Sequence, residues 1–297
     1  MSQRTLMNRI IDPDETVLAW ALLTPAIVFI LVIVAYPVAN LLYNSFFDMR
    51  LSRGVPVRFI GLENYLAVLN DAMFWRALKN TLIITVVTVP GALVIGLGLA
   101  MLANLPFRYR APVRLALLLP WALPLAFVGL IFAWFFHSEY GVINDVIRRL
   151  GGTPQIWFNS PALTMMAICV TTIWKTSSFM ALILLAGLQT IPASLYEAAE
   201  VDGASKWTQF REITLPLLVP SMLVALIFRT LTAIQSFDIP FSMPGPGEES
   251  QTLAMYIHLN TVDYLDLGYG SALAVCMFLL SMATTFVYLR YVRGDGE

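Results

Sequence analysis

Six runs of the chain, at about Val17–Val38, Thr81–Ala103, Val113–Phe136, Ala162–Leu188, Leu215–Phe237 and Ser271–Leu289, reach the roughly 20 mostly apolar residues that a membrane-spanning helix needs. None of them contains Asp or Glu. Only 12% of the residues are charged and 58% are hydrophobic, against about 25% charged in an ordinary soluble domain. A chain of this kind has too little polar surface to cover itself, so lipid must be its solvent. The expected fold is an all-α integral membrane bundle of about six transmembrane helices. Pro37, Pro90, Gly91, Pro120, Pro124 and Pro220 fall inside these runs. Neighbouring helices re-satisfy the backbone groups that such residues free, so the spans stand. The first run is too long for a signal-peptide core and continues through Tyr36-Pro37 without a small-x-small cleavage site, so it reads as a retained helix.

Six spans place both termini on one side. With the N-terminus inside, the inner segments hold Arg4, Arg9, Arg108, Arg110, Arg114, Lys206, Arg211, Arg290 and Arg293. The longer outer segments hold Arg50, Arg53, Arg58, Arg76, Lys79, Arg148 and Arg149, and the last outer loop, Asp238–Gly268, has no Lys or Arg but carries Asp238, Glu248, Glu249, Asp263 and Asp266. Charge density therefore favours cytoplasmic termini. Glu63–Lys79 has the spacing of one or two short amphipathic helices lying at the interface. His137–Pro161 has Val142, Ile143, Val146, Ile147 and Leu150 at helical spacing before the break Gly151-Gly152-Thr153-Pro154.

Several functions are disfavoured. A net charge of −1 gives no footprint for nucleic acid. No G-x-x-x-x-G-K-[ST] loop is present to cradle ATP, no G-x-S-x-G elbow is present, and His137 and His258 lie in different loops. Cys169 and Cys276 sit in apolar runs as small hydrophobes. No catalytic residue, metal site or bound cofactor is expected. An ion-driven secondary transporter would need an acidic residue within a span, and the spans have none.

The informative stretch joins the fourth and fifth spans: Glu197-Ala198-Ala199-Glu200-Val201-Asp202-Gly203-Ala204, followed by Phe210, Ile213, Leu215-Pro216 and Pro220. Ser194 stands three residues before Glu197, the capping-box spacing, and Gly203 allows a left-handed helix end. A second short helix is expected over about Ala204–Glu212, presenting Trp207, Phe210 and Arg211. Together they form a helix–turn–helix that could enter a groove on a soluble partner.

The pattern Glu-Ala-Ala-x-x-Asp-Gly-Ala, with x5-Phe-x2-Ile-x-Leu-Pro after it, resembles the signature loop of binding-protein-dependent ABC importer permeases. Glu197, Ala198, Ala199, Asp202, Gly203, Ala204, Phe210, Ile213, Leu215 and Pro216 meet every position. Leu22-Leu23-Thr24-Pro25, Gly61-Leu62-Glu63-Asn64-Tyr65, Pro244-Gly245-Pro246-Gly247 and Tyr264-x-Asp266-Leu267-Gly268-Tyr269-Gly270 resemble the carbohydrate-uptake branch, in its first permease subunit of the maltose, trehalose and glycerol-phosphate type. The large periplasmic insertion of the enteric maltose subunit is absent. The resemblance implies a type I ABC importer permease fold. Residues 1–76 then form an N-terminal tail, first helix and outer loop, 77–291 the permease core with a coupling loop at 189–215, and 292–297 a tail. It also implies a second permease subunit in a heterodimer, two ATPase subunits that bind the ATP and Mg, and an extracytoplasmic solute-binding protein. The machine would sit in a bacterial or archaeal inner membrane and import maltose, trehalose or a related oligosaccharide, or, in the alternative, glycerol phosphate or another anionic solute.

Polar groups within spans are costly and mark a pathway. Thr171, Lys175 and Ser178 share one face of the fourth span, with Thr172, Thr176 and Phe179 beside it. In the fifth, Arg229, Thr232 and Ser236 share a face, with Gln235 beside it and Asp238 near the outer end. The resemblance places Thr176, Phe179, Gln235 and Ser236 at sugar-lining positions. Trp174 either stacks on a sugar ring or packs, and Thr171 and Thr172 either bind substrate or satisfy local carbonyls. Lys175 and Arg229 have two competing roles. Asp238 or another acid holds them and fixes packing, or they face the cavity and bind a hydroxyl-rich or anionic substrate.

Overall fold

The computed structural model of the chain describes residues 15–51, 54, 56–105, 110–244, 247 and 249–294. Arg4, Arg9, Arg53, Arg108, Glu248, the Gly245-Pro246 pair and the tail beyond residue 294 lie outside them. The described residues form a helical bundle with one small two-stranded hairpin.

Helix α1 spans Glu15–Asn44, with a π turn at Leu31–Ala35, and no residue of it is buried. Its C-terminal third, Tyr36–Asn44, packs against the last span. That end is fastened by hydrogen bonds. The hairpin pairs β1, Phe47–Asp48, with β2, Arg58–Phe59. Asn64, in α2 (Glu63–Leu69), donates through Nδ2 to the carbonyls of Ser45 and Phe47 at 2.9 and 3.0 Å. Arg50 pairs with Asp266 at 2.9 Å just before the last span.

Helix α3 spans Ala72–Asn104. Asp71 caps it, accepting from the Met73 N–H at 2.8 Å. Of the one or two short helices expected over Glu63–Lys79, α2 is one, while Phe74–Lys79 opens the second span, because the cap at Asp71 stands ten residues before Thr81. Next come α4, Arg110–Ala122, and α5, Leu125–Phe135. The third expected span is thus two helices that meet at Leu123-Pro124. Pro124 has no N–H to give and its ring drives Leu123 out of the helical region, so the hydrogen-bond ladder stops there.

The loop helix α6, Val142–Arg149, forms as its spacing predicts, and Gly151 follows it with φ +80°. Asn144 of α6 is fully buried and satisfied four times. Its Nδ2 donates to Ser138 and Gln155 carbonyls, and its Oδ1 accepts from the Gln155 N–H and the Trp157 indole, all at 2.8–3.0 Å. Trp157 is thereby seated in a core with Phe136, Ile168 and Ile239.

The main helix pair is α3 with α7, Pro161–Thr190. Ala92, Gly96, Ala100 and Ala103 are buried along one stripe of α3, facing Met180, Ala181 and Leu184. Without a hydrophobic drive between helices in lipid, such small residues let backbones approach and gain dispersion contact. A Cβ at Gly96 would lie 2.5 Å from Met180 Cβ and 2.9 Å from the Ser177 carbonyl oxygen. After α8, Ala193–Val201, comes α9, Lys206–Ile234, which packs on both α3 and α7. The second short helix of the coupling segment is therefore not a separate element. A π turn at Phe210–Thr214 carries it unbroken into the fifth span. Short helices α10, Asp238–Ser242, and α11, Leu253–His258, lead to the last span α12, Leu267–Gly294. Asp71 ties this end together, accepting from the hydroxyls of Tyr256 and Tyr269.

Candidate functional site

Helix α8 stands at the end of the bundle where α7 and α9 connect, and buries none of its residues. Its N-cap is Pro192, with no side-chain cap bond. Ser194 therefore lies inside the first turn and does not cap it, because Pro already supplies the extended φ/ψ that the entry needs. The C-terminus explains the Ala-x-x-Asp-Gly-Ala spacing. Gly203 has φ +77°, its N–H donates to the Glu200 carbonyl at 3.1 Å, and the Ala204 N–H donates to the Ala199 carbonyl at 2.8 Å. This is a Schellman terminus. It needs Gly at the left-handed position and brings Ala204 back over Ala199.

The turn is held to α9 at two points. Lys206 pairs with Glu200, and its charge and hydrogen bond hold that carboxyl below its ordinary pKa. The Tyr196 hydroxyl meets Thr214 Oγ1 at 2.9 Å. Ser205 caps the start of α9, accepting from the Thr208 N–H at 3.1 Å. Glu197, Ala198, Asp202 and Gly203 are exposed and Ala199 and Ala204 half-buried, while Leu195, Val201 and Trp207 offer exposed apolar surface beside them. Leu215 and Pro216 open the straight run of α9. The segment is a rigid, two-point-anchored protrusion with an uncovered apolar and acidic face.

The same α9 carries a polar cleft at its far end. A space of about 90 Å³ is lined by Thr172 and Thr176 from α7, Arg229 and Thr232 from α9, Gln235, Ser236 and Phe237 from the turn after it, Asp238 and Ile239 from the start of α10, and Leu125 at the start of α5. Six of the nine residues picked from the sequence as a substrate site thus come together: Thr176, Arg229, Thr232, Gln235, Ser236 and Asp238. Thr232, Gln235 and Asp238 are exposed, whereas Arg229 is 3% exposed. Arg229 Nη2 donates to Thr88 Oγ1 at 2.7 Å and Nη1 to Thr232 Oγ1 at 3.3 Å, while Nε has no partner. No carboxylate pairs with it among the described residues, Asp238 included.

The other three expected residues lie elsewhere. Lys175 turns from the cleft towards α4, and its Nζ donates to the Trp121 carbonyl at 2.6 Å. That carbonyl sits where the break at Leu123-Pro124 interrupts the helical ladder, so the cation meets the negative end of a half-helix. Phe179 stacks on Trp121, with centroids 6.4 Å apart. Trp174 packs against Phe132 at 5.0 Å and lines a separate, mainly apolar groove of about 540 Å³ with Ser177 and Ser178. Thr171 bonds the Ala167 carbonyl at 2.8 Å, the local role weighed for it. Sequence reasoning missed Thr88, which places the guanidinium, and left Thr172 open between substrate and a local carbonyl; its hydroxyl is buried and unpartnered, and the residue is on the cleft wall. Its position four residues before Thr176 on one helical face was the available signal.

The fold is thus a multi-span helical bundle in which an exposed helical protrusion and a cleft share one helix. Residues 92–294 match the family model described as the binding-protein-dependent transport system inner membrane component, and the chain belongs to that family. It is 63% identical over 288 residues to the sulfoquinovosyl glycerol transport system permease protein SmoG of Agrobacterium fabrum, covering 96% of this chain and 94% of that one. It is 36% identical over 281 residues to the trehalose/maltose transport system permease protein MalF of Thermococcus litoralis, covering 94% and 95%. The fold matches a bacterial ABC transporter that imports the acidic polysaccharide alginate, with TM-score 0.83, 22% identity and coverage of 99% of this chain and 100% of that one. The chain is a multi-pass inner-membrane permease of the ABC importer type, a transport component and not a catalytic subunit.

Proposed function

We propose that the chain is the permease of a sugar importer whose cargo is a sulfonated glycoside of the sulfoquinovosyl glycerol kind, the solute in the name of its 63% identical relative. One observation carries the transport reading. The single helix α9 joins the exposed coupling protrusion at Lys206 to the cleft at Arg229 and Thr232. A motion imposed at α8 is therefore delivered to the cleft along one continuous helix, whose π turn at Phe210–Thr214 and Pro220 are the points where it can bend.

The coupling loop docks on one of two ATPase subunits, which bind the ATP and Mg. A second, related permease completes the passage. It covers the face on which Thr232 and Gln235 are exposed and gives α1 a partner along its bare length. An extracytoplasmic binding protein delivers the solute at the opposite end; a bacterial alginate transporter of the same fold is solved in complex with alginate pentasaccharide-bound periplasmic protein. Both termini and α8 lie in the cytoplasm. ATP binding closes the ATPase dimer and opens the cleft outward, and hydrolysis resets it inward.

The test is uptake of labelled sulfoquinovosyl glycerol into proteoliposomes holding the two permeases and two ATPases, with binding protein outside and ATP within. Uptake that needs all components supports the proposal. Uptake that persists without ATPase subunits, or a complex that accepts only neutral trehalose or maltose, refutes it.

A further inference from the structure

Three groups border the cleft: two buried side chains that each carry an unpartnered polar atom, and a helix start. The Arg229 side chain is 3% exposed and held from one side by Thr88 and Thr232, yet its Nε–H bonds nothing. Thr172, 4% exposed on the same wall, has a free hydroxyl. The third group is the start of α5. Leu125 lines the cleft as the first residue of that helix, and its N-cap, Pro124, supplies no side-chain bond. The opening N–H groups of a helix lack intrahelical partners and carry the positive end of its dipole. All three border one space, and Asp238, the carboxylate on its rim, is exposed and makes no ion pair with Arg229 among the described residues. A buried cation that is unpaired within its own chain is costly, and one left so at mid-membrane marks a ligand by default.

From this arrangement we infer that the cleft is a sulfonate subsite, in which Arg229 and Thr172 bind the anionic end of the cargo in front of the α5 N-terminus. The inference rests on the proposed cargo and adds the residues that read its charge. The size agrees. The space is about 90 Å³, well above the roughly 10–15 Å³ that one water needs, so it admits a group larger than water. The rim has the opposite chemistry. Exposed Asp238, Gln235 and half-buried Ser236 offer acceptors and an amide to hydroxyls. The cleft thus matches a solute with one anionic end and one polyol end. Lys175 takes no part, because its charge is already spent on the Trp121 carbonyl. Arg229 is a specificity-determining residue on this reading, and its planar guanidinium suits a multi-oxygen anion better than a point charge would.

The experiment compares uptake of sulfoquinovosyl glycerol with uptake of the neutral glucosyl glycerol by the complete reconstituted importer, in wild type, Arg229→Gln, Arg229→Lys and Thr172→Val. Thermal shift of the detergent-purified permease–ATPase complex with sulfoquinovose against glucose gives a second readout. Losing a charge-assisted contact is expected to lower the sulfonated-to-neutral uptake ratio about 30-fold in Arg229→Gln. Thr172→Val, which keeps shape and charge, should lower it about threefold to tenfold. Arg229→Lys should restore part of the ratio, and the sulfoquinovose-specific shift should vanish in Arg229→Gln. Equal loss of both substrates in Arg229→Gln and Arg229→Lys makes Arg229 a packing residue and overturns the subsite while the cargo stands. An unchanged ratio in Arg229→Gln or Thr172→Val does the same. A wild-type complex that shifts with sulfoquinovose through Arg229 yet does not carry sulfoquinovosyl glycerol overturns the cargo and keeps the subsite. Should Arg229→Gln fail to assemble, Thr172→Val and Arg229→Lys decide alone.

Discussion

Replacing Gly203 tests the coupling protrusion without disturbing the bundle. A Cβ at this position would have nothing within 4 Å, so no tertiary clash arises, and only the left-handed φ of +77° opposes the change. A residue with a Cβ in that region costs roughly 1–2 kcal/mol, and a β-branched one more. If the chain instead relaxes to negative φ, the two terminal bonds from Gly203 and Ala204 are lost, at about 0.5–1.5 kcal/mol each. Either route costs about 1–3 kcal/mol, confined to an element with no buried residue. Thermal stability of the assembled complex is then nearly unaffected, while affinity for the ATPase subunits falls by up to about 30-fold for a 2 kcal/mol penalty. The assay is binding-protein-stimulated ATP hydrolysis at graded ATPase concentration. The order expected is Gly203→Asn mildest, then Ala, then Val, because Asn tolerates the left-handed region. Gly203→Val with wild-type coupling, or Asn as damaging as Val, would refute the Schellman account of the motif.

Other changes probe the supports. Asn144→Leu strands the Gln155 N–H and the Trp157 indole and leaves the Ser138 carbonyl unpaired, so unfolding free energy in detergent should fall by about 2–4 kcal/mol, read as a lower Tm. Burial alone would raise the Asp71 pKa, but bonds from the Tyr256 and Tyr269 hydroxyls and from the Met73 and Phe74 N–H groups outweigh it and hold the carboxyl below its ordinary value. The depressed pKa gives stability that is present above an unfolded value of about 3.9 and lost as pH falls through the folded one, so Asp71→Asn should flatten the acid limb of a Tm-versus-pH curve. Lys175→Met leaves the Trp121 carbonyl unpaired, and should lower Tm by a loss of about 1–3 kcal/mol while the sulfonated-to-neutral uptake ratio stays at wild type.

The spans were legible because their signal is length and apolarity, which no tertiary context overrides. The turn after α8 was legible because Gly203 is a local requirement of a helix end, while its coupling role rests on the resemblance of the whole pattern from Glu197 to Pro216. Boundaries were harder. The second span starts at Ala72 because Asp71 caps it, although the charged and aromatic residues of Phe74–Lys79 read as a surface helix. The start of α9 shows the same limit. Ser205 caps a turn that then runs through Phe210–Thr214 into the membrane, and nothing in the local composition marks that continuity. Thr88 could not be found by sequence at all, since its role is a bond to a residue 141 positions away.

Lys175 and Arg229 present one signal, a cation inside a span, and the structure gives it two meanings. The difference comes from Pro124. By stopping the ladder between α4 and α5 it frees carbonyls at the end of one half-helix and N–H groups at the start of the other. Lys175 answers the carbonyl end and joins the broken span to α7. Arg229 and the N–H end of α5 line the same cleft, which gathers two positive groups around one space. Like potentials are placed together at a cost unless something negative comes between them. Closing the break should therefore undo both effects at once. Pro124→Ala, by favouring a continuous third span, would free Lys175 of its carbonyl and remove the half-helix from the cleft. The expected result is a joint loss, a lower Tm and a lower sulfonated-to-neutral uptake ratio. A variant that lost only stability would show that the α5 terminus contributes nothing to anion binding and that Arg229 and Thr172 act alone.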